Sequence, residues 1–97
     1  MRQRLLVCDD EELIRWSICE HFRNAGFEVT EAVDGEDGLA KVMKSSQDLV
    51  VTDLKMPKMG GLEMLREIRC RGFQMPFIVL TAHGAVSSAV EATQLGA

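Results

Sequence analysis

The 97-residue chain lacks the features that would place it in a membrane, outside the cell or on a nucleic acid. No apolar run approaches the roughly 20 residues that a membrane-spanning helix needs. Its first residues, Met1-Arg2-Gln3-Arg4-Leu5-Leu6-Val7-Cys8, put basic groups ahead of apolar ones, as a secretory signal does. The apolar part ends at Asp9-Asp10, however, too soon for a signal core. Cys8, Cys19 and Cys70 are odd in number, far apart and without a C-x-x-C pair. That excludes a disulfide framework or a zinc site and favours a reducing, cytoplasmic setting. Lys and Arg number 11 against 15 acids, for a net charge of −4, and form no block. A nucleic-acid backbone demands clustered positive charge, so direct contact with nucleic acid is not expected from this segment. No glycine-rich phosphate loop follows the first apolar run, which removes the usual nucleotide and flavin sites. Repeats, linkers and low-complexity tracts are also absent. Residues 1–97 therefore read as one small domain.

What is present is organised around Asp48-Leu49-Val50-Val51-Thr52-Asp53-Leu54-Lys55-Met56-Pro57. An apolar, β-branched run ends in an acid, and a proline closes the loop. Buried strands of parallel sheets are near-continuously apolar rather than alternating. Open α/β sheets place their chemistry outside the carboxyl ends of their strands, so Asp53 is expected to be a nucleophile.

Residues 4–8 read as another buried strand, followed at once by Asp9-Asp10-Glu11-Glu12. Glu11 and Glu12 suit a helix N-terminus, where acids meet the positive end of the dipole. Asp9 and Asp10 leave the strand before the helix begins, and either cap it or hold a cation. Residues 13–24 carry Ile14, Ser17, Ile18, His21 and Phe22 at helical spacing, with Gly26 as the stop. His21 is expected to be a partly buried helix histidine rather than a catalytic one, and Trp16 to lie off the stripe. Residues 27–31 alternate apolar and polar, as a half-covered edge strand does. Asp34 can cap a helix carrying Leu39, Ala40, Val42 and Met43. Gly60-Gly61 opens a further helix, with Leu62, Leu65 and Ile68 inward and Gly72 as its stop. A strand over residues 77–80 then ends in Thr81-Ala82-His83-Gly84, and a last helix is expected over residues 86–94. Four strand–helix units in alternation predict a doubly wound parallel α/β sheet with helices on both faces.

Three strand ends carry polar groups: Asp9-Asp10, Asp53 and Thr81. In a flavodoxin-like sheet the first, third and fourth strands are neighbours, about 4.8 Å apart, so these groups converge. Converging carboxylates repel unless something relieves them. Mg²⁺ would do so, and would leave room for a phosphoryl oxygen. Asp53 could then attack a phosphoryl group in line, with the Thr81 hydroxyl donating to its oxygens and shifting with them. Each residue alone reads as a cap or a strand-end hydroxyl; all three at adjoining strand ends favour the site.

At these residues the chain resembles the receiver domain of bacterial response regulators. The likeness covers all 97 residues. It is carried by Val7-Cys8-Asp9-Asp10, by Asp53-Leu54-Lys55-Met56-Pro57-Lys58-Met59-Gly60-Gly61-Leu62-Glu63-Met64-Leu65, and by Pro76-Phe77-Ile78-Val79-Leu80-Thr81-Ala82. The resemblance implies a CheY-like fold with strand order 2-1-3-4, and Asp53 as the phosphoacceptor served by a sensor histidine kinase. It implies Mg²⁺ bound by the side chains of Asp10 and Asp53, by the Lys55 backbone carbonyl, and by Asp9 through water. Thr81 would be the switch hydroxyl, while Lys55 and His83 would tune phosphoryl lifetime. Such a domain assists its own phosphotransfer and dephosphorylation and is not otherwise an enzyme. Ile14-Arg15-Trp16 and Thr81-Ala82-His83-Gly84 further resemble NtrC-type transcription activators, whose attached domains would control transcription.

The family has five strand–helix units and four are found here, so the expected chain is a receiver without its fifth unit. The resemblance places the active-site lysine in that unit, and none of Lys41, Lys44, Lys55 and Lys58 can stand for it. The strand over residues 77–80 would then be an open edge and the first helix would show apolar surface, so self-association through both is expected. Two alternatives stay open. One is a receiver-like interaction or dimerisation module not competent for the full switch. The other is a haloacid-dehalogenase-type phosphatase, which also uses a strand-end aspartate but wants a second acid where Lys55 stands.

Overall fold

Seven elements alternate along the chain in the computed structural model, which describes residues 2–80 and 96. They are β1 (Arg4–Cys8), α1 (Glu12–Asn24), β2 (Glu28–Ala32), α2 (Gly35–Lys44), β3 (Leu49–Asp53), α3 (Gly61–Cys70) and β4 (Phe77–Leu80). The expected helix over residues 86–94 lies outside the described residues, as do Thr81 and His83. All strand pairings are parallel, in the order β2-β1-β3-β4. The predicted sheet and order are therefore the observed ones. Chain order reverses between β1 and β3, the switch point at which doubly wound sheets place their sites.

Strand alternation splits the core into two layers. Leu6 and Cys8 of β1 and Val50 of β3 pack with Val42 of α2 and with Met64, Leu65 and Ile68 of α3. Leu5 and Val7, one residue out of phase, pack with Val51 of β3 and with Cys19, Ile18 and Phe22 of α1. Helices thus cover both faces, and the side chains of residues 5–8 are essentially inaccessible.

The helices sit on the sheet with rotations that differ from the expected stripes. On α1 the sheet-facing residues are Arg15, Ile18, Cys19 and Phe22, whereas Ile14, Ser17 and His21 are exposed. Cys19 is fully buried, and its small thiol lets the helix centre on that position against Leu5, Val7 and Val51. That turns His21 outward, edge-on to Phe22 with ring centroids 5.2 Å apart, and corrects the partly buried histidine expected there. On α2 the buried residues are Gly35, Gly38 and Val42, with Ala40 and Met43 exposed. A Cβ at Gly38 would lie 2.5 Å from Met64 Sδ and 2.6 Å from Cys8 Sγ, so α2 approaches the sheet through its glycines. In α3, Met64 joins Leu65 and Ile68 in the core, while Leu62 is half-buried.

The helix ends follow the local chemistry. Asp34 Oδ1 caps α2 by accepting from the Asp37 N–H at 2.8 Å, and Asp37 Oδ2 reaches back to accept from the Val33 N–H, just before the cap, at 3.1 Å. Gly26 and Gly72, at φ +96° and +90°, take the left-handed conformation that ends α1 and α3. The described helices include none long and apolar enough to cross a membrane.

Candidate functional site

The site grows out of the last residues of β1 and β3. Asp9 extends the β1–β2 ladder by one bond, its N–H donating to the Ala32 carbonyl at 3.1 Å. Its side chain then begins the next element, Oδ1 accepting from the Glu11 N–H at 2.9 Å. Glu11, the N-cap residue of α1, makes no side-chain cap of its own; the Asp9 carboxylate instead binds the N–H of that residue, two positions on, and so turns the chain from the strand end into the helix. Asp10 follows and faces solvent, while Asp9 and Asp53 are buried. Asp53 closes β3 opposite Leu80 of β4, and its Oδ1 accepts from the Leu54 N–H at 2.7 Å.

The loop after Asp53 is held from several sides. The Gly61 N–H donates to the Leu54 carbonyl at 2.9 Å, and the Gly35 N–H donates to the Met59 carbonyl at 2.8 Å. Between them the Met59 N–H closes onto the Pro57 carbonyl at 2.7 Å, with Lys58 at φ +66°. A tight turn at positive φ in a non-glycine residue is strained, and the surrounding bonds hold it in place. Lys55 is exposed in this loop.

One ligand atom from each of Asp9, Asp10 and Asp53 lies within 4.8 Å of the others. The three carboxylates expected to converge do so. Their mutual repulsion is visible at Asp9, whose pKa is raised first by burial and then by the charges of Asp53, Asp10 and Glu11; the Glu11 N–H pulls the other way. An all-oxygen, multiply negative donor set at this spacing fits a hard divalent cation such as Mg²⁺, and fits poorly the nitrogen- and sulfur-preferring Zn²⁺. Cys8, next to the cluster in sequence, points to the other layer, its thiol on the Asp34 carbonyl at 3.3 Å. Burial pushes its pKa up to about 12, so it offers no competing nucleophile.

Two residues with no expected part in the site support its loops, Arg15 the one after β1 and Gly61 the one after β3. Arg15 reaches back from α1 to donate to the Asp9 carbonyl at 2.9 Å, and its Nε donates to Glu31 Oε1 at 3.0 Å. Gly61 is the second, because a Cβ there would overlap the Asp53 carbonyl oxygen. Arg15 was visible only within Ile14-Arg15-Trp16. The available signal was a lone arginine in the first turn of a helix that follows two acids.

A doubly wound parallel sheet with three carboxylates gathered at its switch point defines an α/β protein with an acidic strand-end site. The chain belongs to the response regulator receiver domain family, whose family model matches residues 5–97. It is 37% identical to the response regulator MprA of Mycolicibacterium vanbaalenii over 97 residues, all of this chain and 42% of that protein. It is 36% identical to the DNA-binding transcriptional regulator NtrC of Salmonella typhimurium over 91 residues, 94% of this chain and 19% of that protein. A CheY-like response regulator receiver domain protein from Methanospirillum hungatei JF-1 superposes with a TM-score of 0.94 at 29% identity, covering 100% of this chain and 78% of that one. The chain spans less than half the length of these two curated relatives.

Proposed function

We propose that the chain is the phosphoacceptor module of a two-component system, taking a phosphoryl group from a sensor histidine kinase onto Asp53. The observation that carries this reading is the convergence of Asp9 and Asp10 on Asp53 at the end of a central strand. A carboxylate oxygen of Asp53 attacks phosphorus, the P–O bond forms as the P–N bond of the phosphohistidine breaks, and the imidazole leaves with the electron pair and takes up a proton. The Leu54 N–H on Oδ1 fixes the carboxylate rotor for that attack. Asp10 and Asp53 by side chain, Lys55 by its backbone carbonyl and Asp9 through water would hold Mg²⁺. When bound, the ion supplies positive charge against the phosphoryl oxygens and the acid cluster.

Within the same proposal, the Thr81 hydroxyl donates to the phosphoryl group and carries the change outward. Lys55 and His83 set how readily water reaches the acyl phosphate. In this reading the domain assists its own phosphotransfer and dephosphorylation and is not otherwise an enzyme. The names of two relatives, the DNA-binding transcriptional regulator NtrC and the transcriptional regulatory protein FixJ, support transcription control as the output of attached domains, with NtrC-type attachment as one form of it. The net charge of −4 supports an output made without direct nucleic-acid contact by this segment, and the free thiols of Cys8, Cys19 and Cys70 support a reducing, cytoplasmic setting. Self-association through the β4 edge and the α1 face is supported by the exposure of Leu13, Trp16 and Ile78, and sedimentation of the chain tests it.

The experiment is incubation with Mg²⁺ and a small-molecule phosphodonor, followed by intact mass. One phosphoryl group on the wild type and none on Asp53→Asn, or in the presence of EDTA, is the expected result. A chain that stays unmodified under conditions that label another receiver domain would favour an interaction module instead.

A further inference from the structure

We propose that Arg15 is the positioning residue of the cation site, holding the Asp9–Asp10 peptide so that both carboxylates meet Asp53. The inference rests on reading the acid cluster as a cation site. The peptide group between Asp9 and Asp10 joins the two acids, and a rotation of its plane would swing them apart. On its N-terminal side, Asp9 is tied to the sheet by its N–H bond to the Ala32 carbonyl at 3.1 Å. The carbonyl of the peptide itself accepts from Arg15 Nη1 at 2.9 Å. The same guanidinium is braced from the other side by Glu31 Oε1 at 3.0 Å, and Glu31 Oε2 is held in turn by Arg23 Nη2 at 3.2 Å. The loop after β1 is therefore suspended from a strut that runs through α1 and stands on β2. The Arg15 side chain is only 14% exposed, so its bonds are largely shielded from water.

Geometry rather than charge carries this role. The Arg15 guanidinium addresses the backbone carbonyl of Asp9 and makes no bond to its carboxylate. A guanidinium offers several N–H donors in one rigid plane, which serves Asp9 and Glu31 together. A lysine ammonium is a point charge on a flexible stem and cannot span both in that fixed arrangement. Arg15→Lys therefore preserves the charge and removes the strut.

The test is calorimetric titration of the full chain with Mg²⁺ alone, comparing wild type, Arg15→Lys, Arg15→Met, Arg23→Met and Asp10→Asn, with folding checked by circular dichroism. Both Arg15 variants are expected to weaken Mg²⁺ binding about tenfold, the low end of what losing a residue that orients metal ligands costs. Arg23→Met removes only the far brace and is expected to bind as the wild type does, even where its melting temperature falls. Wild-type affinity in both Arg15 variants overturns the proposal. So does an affinity restored by lysine but not by methionine, which would make charge the cause, and so does equal weakening by Arg23→Met. Should Arg15→Met fail to fold, Arg15→Lys, which keeps the aliphatic stem and the charge, decides alone. A wild type that takes up no Mg²⁺ removes the cation reading and this inference with it. A wild type that binds, an Asp10→Asn that does not, and unaffected Arg15 variants remove this inference only.

Discussion

Gly61→Ala is the substitution in which packing and helix propensity make opposite forecasts. Gly61 is the first residue of α3, and alanine in a helix is favoured over glycine by up to about 1 kcal/mol. A Cβ at this position would overlap the Asp53 carbonyl oxygen and lie 3.0 Å from both the Asp53 carbonyl carbon and Thr52 Oγ1. These neighbours belong to the strand end, where the Thr52 hydroxyl donates to the Asp53 carbonyl at 2.9 Å, so no flexible side chain can yield. Overpacking of this kind costs roughly 1–3 kcal/mol, and a disturbed hydrogen bond about 1 kcal/mol more. The overlap outweighs the propensity, for a net loss of about 2 kcal/mol, or roughly 8–16 °C in a domain of this size. Relief requires the Asp53 backbone to move by about 1 Å, a displacement that costs on the order of 10²-fold in reactivity. Thermal melts by circular dichroism and the rate of phosphodonor labelling read the two effects. Gly72→Ala is the comparator: it sits at φ +90° with nothing within 4 Å, so it should cost about 1 kcal/mol of conformational strain and leave labelling unchanged. A Gly61→Ala protein that melts at or above the wild-type temperature and labels at the same rate would refute the close-packing account.

Asp10→Asn removes one charge from a crowded cluster, so in EDTA its melting temperature should exceed that of the wild type, while the rise on adding Mg²⁺ should disappear; a full Mg²⁺ response would count against the cation site. Lys58→Val puts a β-branched side chain at φ +66° and should destabilise the fold by about 1–2 kcal/mol in chemical denaturation, with an unchanged midpoint as the contrary result. Partial burial alone would raise the pKa of Glu31, but its bonds to Arg15 and Arg23 outweigh that and hold it below the ordinary 4.5. Its contribution to stability is therefore complete above pH 4.5 and is lost as pH falls through the lowered value. Melts of wild type and Glu31→Gln should differ near neutral pH and converge in acid; a gap that widens on acidification would reverse the sign.

Much of the fold was legible because strands write their environment locally. The run Leu49-Val50-Val51-Thr52 is apolar enough to be buried on both faces, and the acid that ends it marks the sheet edge. Asp9, Asp10 and Asp53 could be brought together from sequence because parallel order and strand ends suffice to place them, and they converge as expected. Helix rotation was less legible. The expected stripe on α1 ran through Ile14 and His21, but the helix turns toward Cys19, because the fit of a small thiol against Leu5, Val7 and Val51 depends on residues distant in the chain. The glycine face of α2 escaped for the same reason, since Gly38 is needed by Met64 and Cys8 rather than by the helix. The Arg15 strut joins residues 16 apart across two elements, a relation that no spacing rule in one helix or strand encodes. Local periodicity reports which residues are apolar, and the partners decide which of those face inward.

The most direct test of the central claim is to locate the phosphoryl group. After reaction with a phosphodonor and Mg²⁺, borohydride reduction of the acyl phosphate and peptide mass analysis should find one modified residue, Asp53. The modification should be absent from Asp53→Asn and from samples held in EDTA. A label on Asp9, Asp10 or a hydroxyl side chain, or labelling of Asp53 that does not depend on a divalent cation, would contradict the account.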